Sequence, residues 1–219
     1  MDLASLLRNL SIGAIPIVFA ITLHEVAHGW VARYFGDRTA EAQGRLSLNP
    51  IRHIDPVGTV LVPILLLWLG GFLFGWAKPV PVNPQFLRNP RGNMVWVSAA
   101  GPAANLAMAI AWAFLMMVSQ QTDFGIAGQW LQSMAAVGIF INVLLAVFNM
   151  LPIPPLDGGQ LLTNLLPRGT ASSMLEAVAP FGLFIVLGLI ATGLLGPLVS
   201  GPIGFLQGLL VTIFRLQGG

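Results

Sequence analysis

Of the 219 residues, 56% are hydrophobic and only 8% are charged, and the mean hydropathy is +0.82. Soluble domains carry about 25% charged residues, so a water-soluble globule is excluded and the chain is read as an integral membrane protein. A net charge of +2 behind a pI of 9.9 is too small to hold nucleic acid, and the absence of cysteine excludes disulfide staples and thiolate metal sites.

The N-terminus opens with Asp2, and cleavage after its apolar core would fall beside histidines, so it is expected to be retained rather than removed as a signal peptide. A membrane helix needs about 20 apolar residues. Ser11 to Tyr34 meets that need and forms the first predicted span. Residues 59–76, "TVLVPILLLWLGGFLFGW", are apolar enough to cross, but Arg33, Arg38, Arg45 and Arg52 precede them and Lys78, Arg88 and Arg91 follow. Cytoplasmic loops collect Lys and Arg, so both flanks belong on one side. Pro63 and Gly70-Gly71 allow a turn, and a re-entrant segment is expected over a simple span. Between these stretches, "RLSLN" at 45–49 alternates as a strand would and "PVPVN" lies ready to pair with it. An ordinary loop is the other reading of both.

Met94 to Gln120 is the second clear span, opening on the small-residue run "SAAGPAANLAMA" that favours close helix packing. A loop at 121–132 without Lys or Arg suits the external side. Ser133 to Leu151 is the third span, stopped by the prolines of "PIPPLDGG". Glu176 to Leu198 is the fourth, while residues 203–216 either span or lie along the interface. No repeat or long linker divides the chain, so residues 1–219 are expected to form one membrane-embedded domain.

The chemistry lies in "ITLHEVAHGWVARYFGD". Residues four apart on a helix share a face, so His24 and His28 can present imidazoles to one metal ion with Glu25 beside them. This is the H-E-x-x-H arrangement, two zinc ligands and a glutamate that takes a proton from water. Ionisable residues inside a membrane segment are costly and mark functional sites. A third ligand is required. His53, Glu41 and Asp157 are available, and Asp157 is preferred because a bare carboxylate at the end of an apolar span would be costly. Its competing role is to cap the helix starting at Gly158.

These motifs, "HEVAHG", "AAGPAANL" and "NMLPIPPLDGG" in that order, resemble the site-2 proteases, a family of intramembrane zinc metalloproteases. "GRLSLNP" and "GWAKPVPVNP" resemble a compact subgroup, and the short 121–132 loop leaves no room for the PDZ domain some members insert there. The resemblance implies an all-α polytopic fold: a three-helix catalytic core, one or two C-terminal helices, the re-entrant segment and a small β-element. It implies one Zn2+ held by His24, His28 and Asp157, with Glu25 as general base. It also places Asn149 near the reacting centre, as an oxyanion donor or as a brace for the broken helix. Asn105 is read mainly as helix packing.

The expected function is zinc-dependent hydrolysis of peptide bonds in or near transmembrane helices of a substrate protein. The protein would be a multi-pass protein of the cell membrane with its site toward the cytoplasm. The competing reading is a metal or proton transporter built on the same His/Asp cluster. The lack of a repeat and the place of Glu25 beside His24 argue against it.

Overall fold

The computed structural model describes residues 3–62, 64–65, 77–122 and 124–216. Eight α-helices organise them: α1 (Leu3–Tyr34), the single turn α2 (Thr39–Ala42), α3 (Pro90–Gln121), α4 (Gly125–Asn149), α5 (Asp157–Leu165), α6 (Thr170–Val178), α7 (Gly182–Ala191) and α8 (Leu195–Phe214). Among the described residues, five stretches are long and apolar enough to cross a membrane: Leu10–Tyr34, Pro90–Gln121, Gly125–Asn149, Thr170–Ala191 and Leu195–Phe214. The protein is an all-helical, multi-pass membrane protein.

Local chemistry sets where each helix starts and stops. Gly36, at φ +114°, ends α1 in the left-handed region, and the Asp37 N–H returns to the Ala32 carbonyl at 2.9 Å. Pro90 enters α3 at its first turn, where a missing N–H costs nothing, and the Asn89 side chain accepts from the Gly92 N–H. Pro180 falls in the 3₁₀ turn Ala179–Phe181 and kinks α6 against α7, which together make one span.

The core is the antiparallel trio α1, α3 and α4. His24 and His28 of α1 meet Asn105 and Val97 of α3 respectively, so the two helices run in opposite directions. Asn105 meets Asn142 of α4, and Ser119 meets Gln132, so α4 reverses again. Small residues permit the approach: Gly138 lies under the Trp112 ring. α8 covers the far side, where Val199, Ile203 and Leu210 pack with Ala109, Ala113, Ile139 and Val143.

The ends of α1 and α3 lie together. Arg88 donates its backbone N–H to Phe35 O at 3.0 Å and its guanidinium to Tyr34 O at 3.1 Å. The Lys78 N–H donates to His53 O at 2.9 Å. Lys78, which follows the 59–76 segment, thus lies beside His53, which precedes it. Residues 66–76, the larger part of the expected re-entrant segment, lie outside the described residues.

Three expectations are corrected. No strand occurs among the described residues, so the small β-element is absent there. Pro79 and Pro81 have no N–H to give a ladder, and the Lys78 and Val80 N–H groups are committed to His53 O and Glu25 instead. The third core helix starts at Gly125 rather than Ser133, because the uncharged stretch "GIAGQWLQ" continues the helix and leaves only residues 122–124 as the connection. The fourth span breaks at Gly193, whose φ of +72° ends α7, so residues 203–216 belong to a separate fifth span beginning at Leu195.

Candidate metal centre

His24 is ten residues, or about 15 Å at 1.5 Å per residue, from the Tyr34 end of α1. Both histidines are buried, at 8% and 9% exposure. Their rings meet edge to face with centroids 4.7 Å apart.

Each imidazole is oriented by a partner that fixes its tautomer. His28 Nδ1 lies 2.6 Å from the Val97 carbonyl, which can only accept, so this nitrogen carries the proton. His24 Nδ1 lies 2.6 Å from Asn105 Oδ1. The Asn105 amide is fixed in turn, because its Nδ2 donates to Ala20 O at 3.2 Å and to Asn142 Oδ1 at 2.9 Å. Asn142 Nδ2 ends the series on Gly138 O at 2.8 Å. Both asparagines are fully buried, and every donor in the series has an acceptor. Both Nε2 atoms are thereby left with bare lone pairs.

Those lone pairs face each other at 3.1 Å. Asp157 completes the triangle, its Oδ2 being 3.2 Å from His24 Nε2 and 3.3 Å from His28 Nε2. Asp157 opens α5 but does not cap it: Leu156 is the cap residue. The carboxylate is turned toward the imidazoles, with Oδ2 buried and without a hydrogen-bond donor. Three electron-rich atoms at this spacing repel unless a cation lies among them. A tetrahedral zinc with bonds of about 2.0–2.1 Å has ligand–ligand edges of about 3.4 Å, which matches the triangle. These three residues are also the one group among the described residues that could hold a metal ion.

The backbone around Asp157 is held by contacts that exclude side chains. A Cβ on Gly158 would strike the Met150 and Leu151 carbonyls, and one on Gly159 would strike the Ile153–Pro154 backbone. At the other end of α5, Arg91 of α3 donates to the carbonyls of Thr163 at 2.6 Å and Leu166 at 2.8 Å. A cation on the last carbonyls of a helix satisfies both their hydrogen bonding and the helix dipole. Gly101 of α3 presses directly on the imidazoles, since a Cβ there would lie 2.6 Å from His24 Nε2 and nearer still to His28 Nε2.

Glu25 is half-buried, and its Oε2 accepts the Val80 N–H at 2.7 Å. The other expected residues lie apart. His53 is buried in the loop after α2, with Nε2 on the Ser47 carbonyl at 2.8 Å. Glu41 pairs with Arg33 at 3.0 Å. Asn149 donates to Leu145 O, one turn back along its own helix, at 3.0 Å. Asn142, Arg91 and the direct contact of Gly101 escape a reading of the sequence, because only the three-dimensional packing brings them to the histidines. The signal for Asn105 and Gly101 is the motif "AAGPAAN", read there mainly as packing.

Two tautomer-locked histidines, a carboxylate and a neighbouring glutamate within the thickness of a bilayer define a membrane-embedded metallohydrolase. The profile of peptidase family M50 matches residues 12–127 and 125–189. The chain is 40% identical over 183 residues to "Putative zinc metalloprotease YwhC" of Bacillus subtilis (strain 168), covering 82% of this chain and 80% of that protein. It is 34% identical over 196 residues to "Putative zinc metalloprotease Rip2" of Mycolicibacterium smegmatis, covering 86% and 72%. It is also 39% identical over 151 residues to "Putative zinc metalloprotease MJ0611" of Methanocaldococcus jannaschii, covering 69% of each. No solved structure matches the chain. The chain belongs to peptidase family M50, the site-2 proteases, and is an intramembrane zinc metalloprotease. The competing transporter reading is not favoured.

Proposed function

We propose that His24, His28 and Asp157 hold one zinc ion, that Glu25 is the general base, and that the substrate is a transmembrane protein cut in the cytoplasmic third of the bilayer. The observation that carries this reading is the triangle of Nε2, Nε2 and Oδ2 atoms, 3.1–3.3 Å on each edge, with the imidazole protons turned away from it. When bound, zinc polarises a carbonyl and brings the pKa of water at the site to about 7.

The chain's own residues do the rest. Asn105 and the Val97 carbonyl keep the two lone pairs inward, so the ligands need no rearrangement. Glu25, with Oε2 held by Val80, takes the proton of the attacking water on Oε1 and passes it to the leaving amine. Asn149 is proposed as the oxyanion donor. One of its amide protons is on Leu145 O, and the other has no partner among the described residues. A substrate helix hides its carbonyls in its own hydrogen bonds and must unwind before attack.

Arg33, Arg38, Arg45, Arg52, Lys78, Arg88 and Arg91 all fall from the last turn of α1 to the first turn of α3, which supports placing that side in the cytoplasm of a cell membrane. Residues 1–219 are proposed to act as one membrane-embedded domain.

Glu25→Gln tests the roles. The amide cannot accept the proton, so the variant is expected to bind zinc at the wild-type level and lose nearly all cleavage of a transmembrane peptide. Wild-type cleavage by Glu25→Gln would remove Glu25 as the base.

A further inference from the structure

Two charged side chains outside the metal centre are buried without an ion-pair partner among the described residues: Asp37, 1% exposed, and Arg45, 8% exposed. Burying a charge is costly unless hydrogen bonds compensate. Both bond to one stretch of extended chain, residues 78–83. Arg45 Nη2 donates to the Lys78 carbonyl at 2.7 Å and to the Pro79 carbonyl at 3.3 Å. Asp37 Oδ2 accepts the Asn83 N–H at 2.6 Å, while its Oδ1 takes the Thr39 N–H and hydroxyl.

Between these anchors the Val80 N–H meets Glu25 Oε2 at 2.7 Å. The Pro79 carbonyl and the Val80 N–H are the two ends of one peptide group. A carboxylate holds that group at its hydrogen, and at its oxygen lies the guanidinium of Arg45, whose shorter bond is to the adjoining Lys78 carbonyl. Charge at both ends polarises the peptide, and each hydrogen bond strengthens the other. The sequence prepares the stretch for this. Lys78 and Val80 each precede a proline and are biased to extended backbone, and Pro79 and Pro81 leave Val80 as the sole N–H donor among residues 79–81. Val80 is 7% exposed against Gly29 of α1, where a Cβ would lie 2.8 Å from its Cγ1.

We propose that residues 78–83 are a strap that positions Glu25, and that Arg45 is a positioning residue acting through the Pro79–Val80 peptide. A glutamate has three side-chain torsions to fix. With Oε2 held from outside the helix, Oε1 is the oxygen left to take a proton. The inference rests on Glu25 being the general base.

The test compares Val80→Pro, which deletes the N–H, with Val80→Ala, which keeps it and controls for packing. Arg45→Met and Arg45→Lys form a second pair. Turnover is read on a transmembrane peptide carrying a fluorophore and quencher, alongside zinc content and deuterium uptake by the 77–83 region. Val80→Pro and Arg45→Met are expected to lower kcat on the order of 100-fold, the scale of a small misplacement of a catalytic group, with KM and zinc content unchanged. Val80→Ala should lose far less kcat than Val80→Pro, and Arg45→Lys should recover part of the loss. The Val80 amide should stay protected in Glu25→Gln, which retains an acceptor, and exchange faster in Glu25→Ala and Arg45→Met. Equal kcat for Val80→Pro and Val80→Ala, a Val80→Pro enzyme faster than wild type, or uptake indifferent to Glu25→Ala would overturn the strap while leaving Glu25 as the base. An active Glu25→Gln would remove the base itself, and the strap's catalytic role with it.

Discussion

Gly101→Ala isolates the metal centre from the fold. Alanine favours helical backbone over glycine by about 1 kcal/mol, which offsets part of the cost of placing a methyl at this buried position. At this position the new methyl carbon would stand 2.6 Å from Nε2 and Cε1 of His24, and closer to Nε2 of His28. Ordinary contact begins near 3.4 Å, so the His24 imidazole must retreat by about 0.8 Å and the His28 imidazole by more. Metal sites tolerate ligand displacements of about 0.2 Å. Perturbing the groups that merely orient ligands costs 10–100-fold in affinity, so displacing two ligands is expected to cost at least about 100-fold, or about 2.8 kcal/mol. The assay is competition for zinc against a chromophoric chelator on the stripped protein, with thermal unfolding of the metal-free form in parallel. Gly204→Ala in α8, where a Cβ meets nothing within 4 Å, is the control. The expected pattern is weakened zinc binding together with a folded metal-free form destabilised by no more than the about 1–3 kcal/mol of a local overpacking. Wild-type zinc affinity in Gly101→Ala would refute the proposed ligand geometry.

Asp157→Ala is expected to lower zinc occupancy sharply while His53→Ala leaves it near wild type, as metal analysis of purified protein would show; the reverse order would transfer the third ligand to His53. Asn105→Leu leaves the buried His24 Nδ1–H without an acceptor, and should weaken zinc binding by about 10–100-fold. In metal-free protein, ¹⁵N spectra of the three histidines should show the His24 tautomer change, and an unaltered tautomer would count against the Asn105–Asn142 series. Single cysteines at Ser47 and Gln85 should react with an impermeant thiol reagent from one side of the membrane and one at Ile126 from the other. Reaction of Ser47→Cys and Gln85→Cys from opposite sides would contradict the antiparallel packing of α1 on α3.

The residues that form the triangle were legible because chemistry constrains them locally: His24 and His28 share a helix face by spacing alone, and Asp157 is a carboxylate where lipid would otherwise meet it. The three core spans were legible for the same reason, since lipid demands about 20 apolar residues. Helix ends were less so. Gly125 and Gly128 weaken helix within "GIAGQWLQ", and with its lack of charge the stretch reads as loop although it is the first two turns of α4. The strand expectation failed because alternation in "RLSLN" and "PVPVN" reports which side chains are buried. It does not report where the N–H groups go, and those of Lys78 and Val80 go to His53 O and Glu25. Asn142 and Arg91 were invisible as site residues, since an isolated asparagine in an apolar run and one arginine among nine carry no spacing signal.

The route from His24 through Asn105 to Asn142 also bears on how the protein is made. α1 enters the bilayer alone, with His24, Glu25 and His28 on it, and their partners lie on segments not yet synthesised. Asn105 trails His24 by about 80 residues and Asp157 by about 130, which at 5–20 residues per second delays completion of the cluster by about 7–27 s. Through that interval the unpaired groups must be sheltered by the insertion machinery, or by water drawn in from the nearby Tyr34 end. A ribosome-arrested chain ending before Asp157 should therefore crosslink to insertion factors through α1, and release once Asp157 has emerged.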